Sequence, residues 1–157
     1  MAERRVTLGV ISDTHGLLRP EAVEALRGCE RILHAGDVGA PEILEALAKI
    51  APVTAVRGNI DTASWAHALP ESEIVEVGGI SIYMLHDHGK LDLNPEAAGF
   101  GAVVYGHSHR PRIEKKNGIL YFNPGSAGPR RFSLPVTVGR LVVEAENVQA
   151  ELVELKI

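Results

Sequence analysis

One cysteine, Cys29, is present among 157 residues. That excludes an internal disulfide framework and fits a reducing compartment, leaving Cys29 as a small apolar filler after the first helix. Basic residues are not in excess either, with 16 Lys and Arg against 20 Asp and Glu and a formal charge of -4. Sequence-independent capture of a phosphate backbone draws on such an excess, so general nucleic-acid binding is not expected, although a local site can still be positive. No apolar run is long enough for a membrane-spanning helix. The run in "MAERRVTLGVIS" is too short for a secretory core and reaches Asp13 at once. Linkers, low-complexity stretches and internal repeats are also missing. The expectation is a soluble, cytoplasmic protein that does not bind membranes.

What is there describes a globular chain: 45 % hydrophobic and 23 % charged residues, with 16 Gly and 9 Pro. Its length suits one domain, residues 1–157, with a sizeable core. Val6 to Ile11 is a nearly continuous β-branched run, as expected of a strand buried on both faces. "PEAVEALRG" (20–28) has Pro in the first turn, early acids and a terminal glycine, and reads as a helix. The same grammar recurs in "RILHAGD" (31–37) with "PEILEALAKI" (41–50), and a third strand follows in "VTAVRGN" (53–59). This βαβαβ alternation predicts a largely parallel sheet. The second half predicts hairpins at 72–85, 112–122 and 138–155, turning at Gly78-Gly79, Asn117-Gly118 and Glu146-Asn147. Two packed sheets with helices outside bury all these faces economically.

The polar residues that end the apolar runs form a set. Strand one ends in Asp13-x-His15, strand two in Gly36-Asp37, strand three in Gly58-Asn59, "ISIYML" in His86, and "AVVY" in Gly106-His107-x-His109. Ligands of open α/β sheets gather at the carboxyl ends of strands, so five segments deliver seven candidate metal ligands to one edge. Imidazole mixed with carboxylate and amide oxygen, without thiolate, suits manganese, iron, nickel or zinc better than calcium. Seven ligands are too many for one tetrahedral ion and about right for two, with Asp37 as the natural carboxylate bridge. Two divalent ions, two aspartates and a bridging hydroxide leave a net charge of about +1, which invites an anion; phosphate fits, with the hydroxide attacking in line.

"SDTHG", "HAGD", "RGNID", "LHDHG" and "GHSHRP", in this order, resemble the calcineurin-like metallophosphoesterases, in particular their small single-domain bacterial and archaeal phosphodiesterases. The resemblance spans residues 6 to about 138, including "NPGSAGPRR". It implies an α/β fold, a four-layer αββα sandwich of two mixed β-sheets flanked by helices. It also implies two divalent ions, manganese foremost, and a small phosphate-ester substrate. Asp13, His15, Asp37 and His109 would hold the first ion, and Asp37, Asn59, His86 and His107 the second.

The family's usual Gly-Asn-His motif is broken here by Ile60, which has no proton to give a leaving group. A general-acid step worth roughly 10²- to 10⁴-fold is therefore missing or supplied from elsewhere. His88 is the candidate catalytic substitute; a solvent-exposed loop imidazole is its competing reading. His34 is expected to be structural and His67 a surface residue; Asp61, lacking a histidine to orient, is also read as structural. Arg57 and Arg110 flank ligands and either touch phosphate or form solvated ion pairs. Ser126, in the turn "NPGS", is weighed and not favoured as a phosphate contact. Trp65 suits a pocket wall or a homo-oligomer interface equally. The alternative to an enzyme is a protein-binding scaffold of the same fold, since a retromer subunit resembles this subfamily; the complete ligand set argues against it.

Overall fold

The computed structural model describes residues 5–157; the start of the "MAERR" segment lies outside the described residues. Two five-stranded mixed sheets stack face to face, in the orders β10-β9-β1-β2-β3 and β4-β5-β6-β8-β7. In the first, β1 (Val6–Ile11), β2 (Arg31–His34) and β3 (Val53–Ala55) run parallel, linked by α1 (Pro20–Leu26) and α2 (Pro41–Ala48). The antiparallel hairpin of β9 (Thr137–Glu144) and β10 (Asn147–Glu154) completes it. In the second, β5 (Ile80–Leu85), β6 (Ala102–Val104) and β8 (Ile119–Asn123) run parallel between the antiparallel edges β4 (Ser72–Val77) and β7 (Arg112–Lys116).

Side-chain alternation sorts the core into layers. Leu8, Val10, Leu33, Ile82, Met84, Val104 and Phe122 fill the space between the sheets. The opposite parity of the first sheet, Ile11 and Ile32, packs on Leu26, Ile43 and Leu47 of α1 and α2. Tyr83, Leu85, Val103 and Tyr105 face outward from the second sheet. Their cover is thin: one 3₁₀ turn, His88–Lys90, and a four-residue helix α3, Pro95–Ala98. The outer helical layers are thus unequal: the crossovers of the first sheet carry helices of seven and eight residues, whereas the β5-to-β6 crossover of the second carries only the four-residue α3.

The three hairpins form with two-residue turns, each having both residues at positive φ, which matches the twist of the strands. The third turns at Ala145-Glu146, one residue earlier than the Glu146-Asn147 expected from turn chemistry. Eight paired residues per strand, Thr137 to Glu144 against Asn147 to Glu154, set that register and override the local preference.

Candidate metal centre

Register aligns the strand ends that matter. Ile11 pairs with His34 and His34 with Ala55 in one sheet, and Met84 with Val104 and Val104 with Phe122 in the other. The chain therefore leaves β1, β2, β3, β5, β6 and β8 at one edge of the sandwich. The loops are tied there by main-chain bonds: Asp13 N to Gly36 O (3.0 Å), His15 N to Asp37 O (2.9 Å) and Gly106 N to His86 O (2.9 Å). His86 shares the parity of Ile82 and Met84, which turns its ring inward between the sheets.

Six of the seven predicted ligands meet. His15 Nε2 lies 3.8 Å from Asp13 Oδ1 and 3.6 Å from Asp37 Oδ2. His86 Nε2 lies 3.8 Å from Asp13 Oδ1 and 3.2 Å from Asp37 Oδ2, and His109 Nε2 is 3.5 Å from Asp13 Oδ1. The Asn59 side-chain amide points at acceptors, 3.1 Å from His86 Nε2 and 3.2 and 3.3 Å from the two Asp37 oxygens; turned one way its NH2 donates to them, turned the other its oxygen is free to hold a cation. Two overlapping groups result, Asp13–His15–His109 and Asp13–Asp37–His86. Asp37 reaches a histidine of each expected set, as a bridge should. Asp13 does so too, which the sequence reading did not anticipate. His107 is exposed and stands next to the cluster, its ring edge-on to that of His86 at 5.2 Å.

The chain accepts strain to hold this arrangement. Asp13, His15, Asp37, His107 and His109 all have positive φ, between 47° and 73°. Asp and His tolerate that region better than bulky residues but still at a cost of about 1 kcal/mol or more each. Close approach demands glycine at two points. A Cβ on Gly58 would sit 2.1 Å from Asp37 Oδ1, and one on Gly106 2.1 Å from Ser12 Oγ.

Hydrogen bonding distinguishes the atoms that are held from those left free. Asp13 Oδ2 accepts from Ser12 Oγ (2.8 Å) and the His107 amide (3.2 Å). Asp13 Oδ1, in a fully buried side chain, has no hydrogen-bond partner among the described residues, and neither do His15 Nε2 and His109 Nδ1. The His86 ring lies 2.8 Å from Ala35 O through Nδ1, which must donate to that carbonyl. In the neutral ring the Nε2 lone pair then faces the carboxylates of Asp13 and Asp37. Acceptors converging on acceptors in a buried site repel unless a proton or a cation lies between them. The donor set, imidazole nitrogen with carboxylate and amide oxygen, fits divalent first-row ions.

The ionisation shifts have the same origin. Burial works to raise the Asp37 pKa, but the His86 hydrogen bond and charge, with the Ile60 amide, hold it below the ordinary carboxylate value. Burial works to lower that of His86, and its bond to Asp37 with the charges of Asp13 and Asp37 leaves it raised. Burial lowers the pKa of His109, and the nearby Arg131 adds to the effect.

A cluster of this kind at this edge of a double sheet has known relatives. Residues 6–146 match the family model described as the calcineurin-like phosphoesterase superfamily domain. The chain belongs to this superfamily. A protein of Methanothermobacter thermautotrophicus named as a probable metallophosphoesterase is 35 % identical over 93 % of this chain and 91 % of its own length. The phosphodiesterase YfcE of Escherichia coli K12 is 30 % identical over 83 % of this chain and 84 % of its own. Among solved structures, Vacuolar Protein Sorting 29 of Cryptosporidium parvum superimposes with a TM-score of 0.77 at 20 % identity, covering 100 % of both chains, and shows the shared fold. Membership makes this chain a metal-dependent phosphoester hydrolase.

Within this calcineurin-like site, His88 is not where the sequence reading placed it. Its exposed ring stacks on Tyr105 at 4.8 Å and meets Tyr121 edge-on at 5.4 Å, on the outer face of the second sheet. Tyr105 has the outward parity of Val103, so this is the face away from the cluster. The 3₁₀ turn that starts at His88 takes it out of the strand that aims His86. Ile60 is 42 % exposed, and its amide donates to Asp37 Oδ1 at 3.1 Å, so the position serves the site through its backbone. Arg57 pairs with Glu71 at 3.2 Å on the wall of a cleft of about 270 Å³. Asn59, His86, Tyr83 and Lys90 also line that cleft, giving the Asn59–His86 side an opening to solvent.

Three supporting residues escaped the sequence reading or were undervalued. Ser126 Oγ donates to Asp13 O (3.1 Å), Asn123 Nδ2 donates to Gly106 O (3.1 Å) and Ser108 Oγ (3.2 Å), and Ser12 Oγ braces Asp13. Asn123 ends β8 at the same edge as the ligands, the one signal that could have found it. Trp65 leans on the helix-side core, and His67 is exposed.

Proposed function

We propose that this protein is a binuclear metal-dependent phosphodiesterase acting on small phosphate esters. Asp13, His15, Asp37 and His109 hold one divalent ion, and Asp37, Asn59, His86 and His107 the other, with manganese ahead of iron, nickel and zinc. The observation that carries this reading is Asp13 Oδ1, buried and unbonded, with three imidazole nitrogens 3.5 to 3.8 Å away. When bound, the ions polarise the phosphoryl oxygens and lower the pKa of the water that attacks as hydroxide.

The chain's own contribution is placement. The Ala35 carbonyl fixes the His86 tautomer so that Nε2 points into the site, Ser12 and the His107 amide lock the Asp13 carboxylate, and Ser126 holds the Asp13 main chain. The Asn59 amide oxygen completes the second set without adding charge. Ile60 offers no proton, so departure of the alcohol depends on its own acidity, which favours diesters and activated esters. Replacing Ile60 by His keeps the backbone bond to Asp37. Ile60→His is expected to speed alkyl esters by up to about 10²-fold while changing aryl esters little; an unchanged alkyl-to-aryl rate ratio would count against the missing donor.

The direct test is metal content with activity toward bis-p-nitrophenyl phosphate in manganese. Near two ions per chain and turnover that drops at least about 10³-fold in Asp37→Ala are expected. Fewer than one ion after reconstitution, or a mutant as fast as wild type, would sink the binuclear reading. Metal binding without turnover would favour the scaffold alternative, which draws its support from the fold shared with Vacuolar Protein Sorting 29.

A further inference from the structure

The segments that leave β5 and β6 carry His86 and His107, and each also carries a second ring two residues from its histidine. On the cluster side the rings of His86 and His107 meet edge-on, at 5.2 Å and 83°. On the outer side His88 lies over Tyr105 at 4.8 Å and 28°, and Tyr121 of β8 meets it edge-on at 5.4 Å and 75°. Both contacts have the geometry that aromatic pairs prefer. Between the two layers runs one main-chain bond, Gly106 N to His86 O at 2.9 Å. The pairs are therefore crossed about that bond, 86 with 107 on one side and 88 with 105 on the other.

These ties matter because the ladder between the two strands ends early. β5 and β6 pair only from Ile82–Ala102 to Met84–Val104, so both histidines stand beyond the last paired residues. His107 is exposed and has a φ of 73°, and its direction is set by what holds the chain on either side of it. On the far side Asn123 Nδ2 donates to Ser108 Oγ at 3.2 Å. On the near side stands Tyr105, 6 % exposed and covered by His88. His88 itself is exposed, yet the turn it opens is firmly seated. Asp87 Oδ1 accepts from Gly89 N (2.9 Å), Leu91 N donates to His88 O (3.1 Å), and Leu91 packs on the outer cluster of Tyr83 and Leu85. A polar side chain on such a turn is free to point into water, and this one lies on two phenol rings instead.

We infer that His88 is a positioning residue: by clamping Tyr105 from outside it holds the β6 exit, and with it His107, against His86. The role needs the face of the ring, not a proton or a lone pair. It rests on the binuclear reading, in which His86 and His107 hold the second ion. Calorimetric titration with manganese reads both binding steps, and the step that Asn59→Ala weakens identifies the second ion. His88→Ala is expected to weaken that step about tenfold and leave the other within about twofold. His88→Phe keeps the ring face without its nitrogens and is expected to restore wild-type affinity. No change at that step, an equal loss at both steps, or a His88→Phe as weak as His88→Ala overturns the inference. Amide exchange of the metal-free protein, followed by NMR, decides the clamp without any ion. Exchange at Gly106 relative to the core amide of Val10 about fivefold faster in His88→Ala, and as in wild type in His88→Phe, supports it; an unchanged ratio in His88→Ala overturns it. Failure of the binuclear reading has its own signature, wild type taking up one ion or none, and the exchange ratio then still decides whether His88 holds the two exits together.

Discussion

His34 with Asp61, and Asp13 with His15 and His109, are buried or half-buried polar groups a few residues apart along the same sheet edge, yet the fold treats them in opposite ways. Thr14 Oγ1 spends its proton on Val38 O (2.8 Å), so it accepts from His34 Nε2 (3.0 Å), while His34 Nδ1 accepts from the Gly36 amide (3.1 Å). The ring is neutral and complete, and burial pushes its pKa down to about 4. Asp61 is equally complete, taking the amides of Val38 (3.1 Å), Gly39 (3.0 Å) and Gly58 (2.9 Å). One tier up, Asp13 Oδ1, His15 Nε2 and His109 Nδ1 have no hydrogen-bond partner among the described residues. Folding satisfies buried polar groups as a rule, so a concentration of unsatisfied ones beside a saturated scaffold marks where a ligand supplies the missing interaction.

The largest effect that would sharpen this contrast is on rate. Asp13→Asn is expected to lower turnover by at least about 10³-fold, while leaving the metal-free protein as stable as wild type or more so, because a buried charge without a counter-ion is removed. Thermal unfolding in chelator checks it, and a marked loss of stability would mean that Asp13 is part of the scaffold. Asp61→Ala should behave in the reverse sense, leaving three amides unbonded and costing about 3 kcal/mol or more in denaturant unfolding. If its stability matches wild type, the saturated tier is not what holds these loops.

His34 gives a smaller, pH-dependent signal. Its folded pKa, about 4, lies below the 6.5 of the free side chain, so between these values the unfolded chain binds the proton and the folded one does not. The contribution is fully present above pH 6.5 and is lost as pH falls through about 4, on the order of 3 kcal/mol in all. Urea unfolding of metal-free wild type and His34→Asn at pH 7.5 and 4.5 reads the difference; identical pH slopes would show that His34 is not the group responsible.

Much of this was legible in the chain. Strand-then-acid punctuation fixed the βα half, and Gly-Gly and Asn-Gly located two hairpins, because glycine and asparagine are cheap at positive φ. The third hairpin was legible in kind and wrong by one residue, since Ala145 and Glu146 carry no turn signal. The candidate cluster was legible because its residues end or closely follow apolar runs, so direction along a strand determines where they land. His88 was misplaced because it lies beyond such a run, where a 3₁₀ turn decides orientation.

By itself the sequence determined which residue types end which strands, and therefore the chemistry available at one edge: four imidazoles, two carboxylates and an amide. Only the tertiary structure decided that Asp13 touches histidines from both expected sets, that Ile60 serves through its amide, and that His88 lies on Tyr105 outside the cluster. The physical reason is that periodicity fixes a side chain's face within its own element. Distances between loops depend on how two sheets are stacked, and that is set by the packing of Leu8, Val10, Leu33, Ile82, Met84, Val104 and Phe122 together.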